Sequence, residues 1–327
     1  VLAVCCLSLP TNSRSFPFLF PLNTRLSIMG QGQSAPAGAV RPELLVSELV
    51  GEVRDSDYYA RSTHLLDNFV MDDPTQGKFD PADALTLDEA YKLVSPGYLN
   101  LEHGYVRMRD GTWYVACLTD LGHEVNGEMF DWWFRNCDSG EKFRWWHPVD
   151  HVSGTYEPQF YAVMPQERQK GHYVDHIHII EEKLDGVKHF FQIEYERPSK
   201  LFDVSTFAEN DITACVVGRI FDRDPTLGLI AVGHVMHMVR EVNGRSELRS
   251  RFWIGNVQYP ETVENIVFAR IVNSIVSTWL FRITKIPSST ARALWVHCSQ
   301  EMHCLREFLP HYYQAARRDQ EIRSEDF

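Results

Sequence analysis

The chain has 327 residues, of which 44% are hydrophobic and 12% aromatic, enough to bury a large core in one domain with extensions or in two modest domains. Its formal net charge of -12 and the lack of any long basic run argue against a nucleic-acid-binding surface, and no stretch approaches the roughly 20 apolar residues of a transmembrane segment. Cys5, Cys6, Cys117, Cys137, Cys215, Cys298 and Cys304 form neither a Cys-x-x-Cys pair nor a regular framework, so free thiols in a reducing, cytoplasmic compartment are expected.

Residues 1–40 are rich in Ser, Pro and Leu, contain no acidic residue and begin with Val, which reads as a disordered or non-native extension. Met29 is the first methionine; with translation starting there, Gly30-Gln-Gly-Gln-Ser34 matches the N-myristoylation pattern. Residues 41–95 read as a helical N-terminal segment and connector. A short helix is expected over 43–50, then a polar connector carrying Asp55, Asp57, Asp72 and Asp73, then a second helix over 85–94. Ser95-Pro-Gly97 opens the main domain, 96–315, and 316–327 is a tail.

Strands dominate the main domain. Runs 105–108 and 112–118 flank Arg109-Asp-Gly111 as a hairpin, and 127–137, containing Asp131-Trp-Trp-Phe134, is a candidate helix. Further strands are expected over 173–182, 188–195, 212–221, 229–240 and 247–254, with Asn243-Gly244 turning between the last two. Residues 271–283 form a helical segment, and Ser288-Ser289 after Pro287 caps a long helix running to about Pro310. Antiparallel strands with one long helix laid across them predict an α+β architecture whose curved sheet wraps the helix and encloses a cavity. With no Gly-rich phosphate loop and no Gly-x-Ser-x-Gly elbow in the strands, nucleotide chemistry and serine hydrolysis lose weight.

The long helix carries the strongest chemical signal. Leu294, Cys298, Met302, Leu305, Phe308 and Leu309 recur at the spacing of one apolar face, and His297 and Glu301 fall within it. A buried carboxylate four residues after a buried imidazole is costly to desolvate unless something neutralises both, and a divalent metal can do so. His303 and Glu307 repeat the spacing on the polar face, among Ser299, Gln300 and Arg306, where a solvated pair explains them. Two other segments hold ligand types. In Trp145-Trp-His-Pro-Val-Asp-His151, His147 and His151 share parity on an extended segment. Strand alternation places His176, His178, Ile180 and Glu182 on one face and Glu181 on the other. Singly, any of these histidines can equally be a hydrogen-bonded surface group.

Taken in order, the motifs Trp146-His-Pro-Val-Asp-His151, His178-Ile-Ile-Glu-Glu182 followed by Gly186, Arg249-Ser-Arg-Phe-Trp-Ile-Gly255 and His297-x-x-x-Glu301-Met-x-x-Leu-x-x-Phe-Leu-Pro310 resemble the diacetylphloroglucinol and phloretin hydrolase family. The resemblance runs over about two thirds of the chain, and the last motif is its most specific part. It implies a helix-grip fold like that of START and birch-pollen-allergen proteins, one zinc ion per chain, and hydrolysis of the carbon–carbon bond between an acyl group and a phloroglucinol-type ring. The implied zinc ligands are His151, Glu182, His297 and Glu301, with His147 and Glu181 as the runners-up for the first two. His237, in Gly233-His-Val-Met-His237, matches a family histidine that contacts the ring oxygens and is the candidate catalytic acid or stabiliser. Phe143 and Phe252 stand where the family has phenol-contacting tyrosines, so the substrate-binding wall keeps its rings and loses two hydroxyls.

The expected partner is a small acylated polyphenol, with no nucleic acid, no transmembrane segment and a homodimer left open. The competing class is a non-catalytic helix-grip carrier of aromatic or apolar ligands, with which the two phenylalanines are compatible and against which the full ligand set weighs. A metal-dependent oxygenase or isomerase on the same scaffold is the third reading, because His/Glu ligation alone does not fix the metal.

Overall fold

The computed structural model describes residues 55–67 and 79–325; the expected helix over 43–50 and the extension 1–40 lie outside them. Among the described residues, eight strands form one antiparallel sheet: β1 (Gly104–Arg107), β2 (Trp113–Gly122), β3 (His151–Tyr156), β4 (Ile177–Leu184), β5 (Val187–Glu196), β6 (Ile212–Asp224), β7 (Gly228–Val242) and β8 (Arg245–Gln258). Their order is β1-β2-β8-β7-β6-β5-β4-β3, so every sequential pair is a hairpin neighbour except β2–β3. Asn243 and Gly244 both take positive φ, 52° and 75°, as a two-residue turn matched to the strand twist requires.

The helices are α1 (Asp55–Asp67), α2 (Gly127–Asn136), α3 (Gly140–Trp146), α4 (Ile266–Val276), α5 (Trp279–Lys285) and α6 (Ser288–Glu325). On the inner face of the sheet, α6 packs with α2, α3 and α1 over a core that includes Trp133, Trp295, Met302 and Phe308. The outer face is covered by the segment leading into β1, where Leu85, Ala90, Leu93 and Leu101 meet Tyr114, Met236 and Trp253. Alternation along β8 serves both cores: Leu248 and Phe252 face inward, while Trp253 faces outward and donates to the Leu85 carbonyl at 2.8 Å.

Five sequence expectations are corrected. The Asp-rich connector contains a helix, α1, which buries Tyr58 and Ser62; the Ser62 hydroxyl donates to Trp145 O at 2.7 Å. The helix expected over 85–94 is a 3-10 helix, Leu87–Val94, opened by a Thr86 N–H to Glu89 bond of 3.0 Å. His147 and His151 do not share an extended segment: α3 ends at His147, and the His151 N–H closes a turn onto the His147 carbonyl at 3.0 Å before β3 starts. The helical segment over 271–283 is two helices, broken where Thr278 caps α5 by accepting from the Phe281 N–H. Finally, α6 runs on to Glu325 with Pro310 inside it. Pro310 removes one backbone donor, and burial of Phe308, Leu309 and Tyr313 around it holds the helix together.

Candidate metal centre

Three elements deliver four buried ligand-type side chains to one point: β3 contributes His151, β4 contributes Glu182, and α6 contributes His297 and Glu301. Strand pairing sets the first two side by side, since His151 and Glu182 are register partners. The one-turn spacing on α6 sets the other two. The His151 and His297 Nε2 atoms lie 3.2 Å apart. Glu182 Oε2 is 3.8 Å from the first and 3.7 Å from the second; Glu301 Oε2 is 3.6 and 3.8 Å from them.

The outer nitrogens of both imidazoles are already committed. His151 Nδ1 donates to Phe143 O at 2.7 Å, and His297 Nδ1 donates to Asp150 Oδ2 at 3.0 Å. Each neutral ring therefore turns an Nε2 lone pair inward, and two acceptors 3.2 Å apart repel unless a cation or a proton lies between them. Electrostatics point the same way. Burial raises Glu301 to about 8 and raises Glu182 as well, and burial with the neighbouring His297 and His147 holds His151 well below the usual imidazole range. Burial also opposes charge on His297, but Glu182, the Asp150 hydrogen bond and Glu301 outweigh it and bring that ring to about 9. The cluster can hold a divalent cation; without one, it must hold protons.

Of the alternative residues, His147 stays beside the cluster: it accepts from the Asp150 N–H through Nδ1 at 3.0 Å, meets Gln300 Oε1 through Nε2 at 3.2 Å, and forms with Asp150 and His297 a second group of ligand-type atoms within 4.8 Å of one another. Glu181 points to the other face of β4 and pairs with Lys188. His176 pairs with Glu157 at 3.0 Å, and His303 is half-buried on the other side of α6. Asp150 is the residue that sequence reasoning left without a role. Its only signal was its place next to His151, because nothing local ties it to a histidine 147 positions away.

The cluster opens on a cavity of about 320 Å³ between the sheet and α6. Its wall is apolar over most of its extent, with Ile180, Ile193, Val235 and Leu294 among its residues. Phe143 lines it, stacked on the His151 ring at 3.7 Å and 2°, and Gly154 makes room, since a Cβ there would meet the Phe143 ring at 2.9 Å. Phe252 and His237 line it from β8 and β7, edge to face at 5.8 Å. His237 Nδ1 meets Ser250 Oγ at 2.8 Å, and burial lowers the His237 pKa to about 3, keeping the ring neutral.

A family model described as the DAPG hydrolase PhiG domain matches residues 85–314, which contain the whole sheet, the cluster and the cavity. The chain belongs to this family of hydrolases. Phloretin hydrolase of Eubacterium ramulus is 27% identical over 247 residues, covering 72% of this chain and 81% of that protein. The 2,4-diacetylphloroglucinol hydrolase of a Pseudomonas species is 23% identical over 198 residues, covering 55% and 62%. Among solved structures, protein Ms6760 of Mycobacterium smegmatis shares 10% identity over 57% of this chain and 88% of its own, with a TM-score of 0.25.

Proposed function

We propose that the chain is a zinc-dependent hydrolase that cleaves the carbon–carbon bond between an acyl group and a phloroglucinol-type ring, releasing a carboxylic acid and the deacylated phenol. One observation carries the reading: two imidazole lone pairs and two buried carboxylates converge at the edge of an apolar cavity in a member of this hydrolase family. The donors His151, Glu182, His297 and Glu301 suit zinc, since ligand atoms about 2.0–2.2 Å from a tetrahedral ion lie roughly 3.3–3.6 Å from one another. The two imidazoles lie 3.2 Å apart and each carboxylate lies 3.6–3.8 Å from them, and the ligand atoms of His151, His297 and Glu301 form a group within 4.8 Å of one another, with Glu182 beside the two imidazoles. The architecture is best read as a helix-grip, because α6 touches β1 and β2 near one edge of the sheet and β4 near the other.

A ring carbon leaves badly, so the polyphenol must first adopt a keto tautomer that turns the acylated ring into a β-diketone. Addition of water to the acyl carbonyl then lets the carbon–carbon bond break, with its electron pair passing into a ring enolate that regains aromaticity on protonation. When bound, zinc supplies the charge that polarises a carbonyl and lowers the pKa of water. The protein's own groups do the rest. Phe143 O and Asp150 hold the two imidazoles in one tautomer and orientation. Phe143 and Phe252 flank the ring and exclude water. His237, kept neutral by burial and oriented by Ser250, holds or delivers a proton at a ring oxygen.

The test is incubation of the zinc-loaded protein with an acylphloroglucinol and quantitation of both products. Equimolar carboxylic acid and deacylated phenol are expected. Tight binding without either product would instead make the protein a carrier.

A further inference from the structure

His178 lies on the cavity-facing side of β4, four residues before Glu182, which by strand rise is about 13 Å away. Its imidazole is stacked on Tyr156 at 4.3 Å and 8°, and Phe143 meets it edge-on at 5.7 Å. The side chain is 2% exposed, and among the described residues its Nε2 has no hydrogen-bond partner. The nearby hydroxyl of Tyr156 is already spent on the Phe134 carbonyl at 2.7 Å. A buried polar nitrogen left unpaired is costly, and packing alone would be served better by a phenylalanine. His237, the other buried imidazole of the wall outside the cluster, has Ser250 as its partner. Phe143 and Phe252 offer no polar atom at all.

We propose that His178 reads a hydroxyl group on the substrate ring, pairing with a phenolic oxygen in the part of the cavity walled by Phe143 and Tyr195. The inference rests on the polyphenol reading above and adds the group that replaces hydrogen bonds the two phenylalanines cannot make. Burial lowers His178 to about 3, so the ring is neutral and presents one donor and one acceptor, which suits a phenol better than a carboxylate. The position is set by rigid elements: Tyr156 is the register partner of His178 on β3, and Ile193 is its partner on β5.

The experiment compares two rings of similar size, phloroglucinol and 1,3,5-trifluorobenzene, as ligands of the zinc-loaded protein, in wild type and His178→Phe. The variant should bind phloroglucinol roughly three- to tenfold more weakly, as loss of one hydrogen bond predicts, and bind trifluorobenzene as wild type does. Its zinc content should be unchanged and its Tm equal or higher, because an unpaired buried polar group has been removed. Equal phloroglucinol affinity in the two proteins overturns the role of His178, and so does equal weakening toward both rings. Wild-type protein that binds no phloroglucinol overturns the polyphenol reading and this inference with it. If His178→Phe does not fold, His178→Met, of similar volume and without a donor, carries the same comparison.

Discussion

Buried charge occurs on both faces of the sheet, and the two faces satisfy it in opposite ways. On the outer face, Glu102 sits between Arg249 and Arg251, and each guanidinium also donates to backbone carbonyls, Arg249 to Leu93 and Gly97, Arg251 to Cys117 and Ser250. On the inner face, His151, Glu182, His297 and Glu301 turn acceptor atoms toward each other. The carboxyls report the difference. Burial opposes the charge on Glu102, yet Arg251 and Arg249 hold it below the usual range, whereas burial leaves Glu301 raised to about 8. A buried charge that is neutralised by its own chain is architecture. Converging acceptor atoms that only protons or a cation can reconcile call for something the folded chain alone does not supply.

The largest effects are expected at the cluster itself. His297→Ala or Glu301→Ala should abolish zinc retention and hydrolysis, while His303→Ala, one helix face away, should leave the zinc content intact. Equal metal loss in His303→Ala and His297→Ala would remove the basis for separating the two faces of α6. On the outer face the expectation is reversed. Glu102→Gln leaves two buried arginines without a counter-charge and should cost about 3–5 kcal/mol in denaturant unfolding while the folded fraction keeps its zinc. Unchanged stability would show that this network is not what holds the segment before β1 to the sheet.

Asp150 sharpens the contrast, because it touches a ligand and not the ligand position. Asp150→Asn keeps the shape but weakens the hold on His297 Nδ1, and zinc affinity measured by chelator competition should fall by roughly 10- to 100-fold with little change in Tm of the metal-free protein. The smallest effect is expected at the cavity wall. Phe143→Tyr or Phe252→Tyr should shift relative kcat/KM toward the more hydroxylated of two acylphenols by about 0.5–1.5 kcal/mol, one neutral hydrogen bond. An unchanged ranking across a panel of acylphloroglucinols and dihydrochalcones would mean that neither ring position reads the substrate.

Periodicity made much of this legible in advance. The apolar stripe of α6 separated His297 and Glu301 from His303 and Glu307, and strand parity set Glu182 inside and Glu181 outside, where Lys188 meets it. The hairpin turns at Asn243-Gly244 and Arg109-Asp-Gly111 were legible too, whereas the turn over 147–151 and the long-range contacts were not. Parity could not distinguish His147 from His151, because the chain leaves α3 and turns between them. Asp150 acquires its role only when α6 returns alongside β3. The helical state of α1 was hidden by its polar, Asp-bearing composition, and α6 passes Pro310 because packing outweighs one lost hydrogen bond.

Calorimetric titration of zinc into the metal-free protein near pH 7, repeated in buffers of different ionisation enthalpy, asks whether the cluster is a zinc site. His297 and Glu301, raised to about 9 and about 8, hold protons at that pH that a metal must displace. The expected result is one zinc bound per chain, with protons released to the buffer, and loss of both signals in Glu301→Ala. Failure to bind zinc, or binding that releases no proton and survives Glu301→Ala, would contradict it.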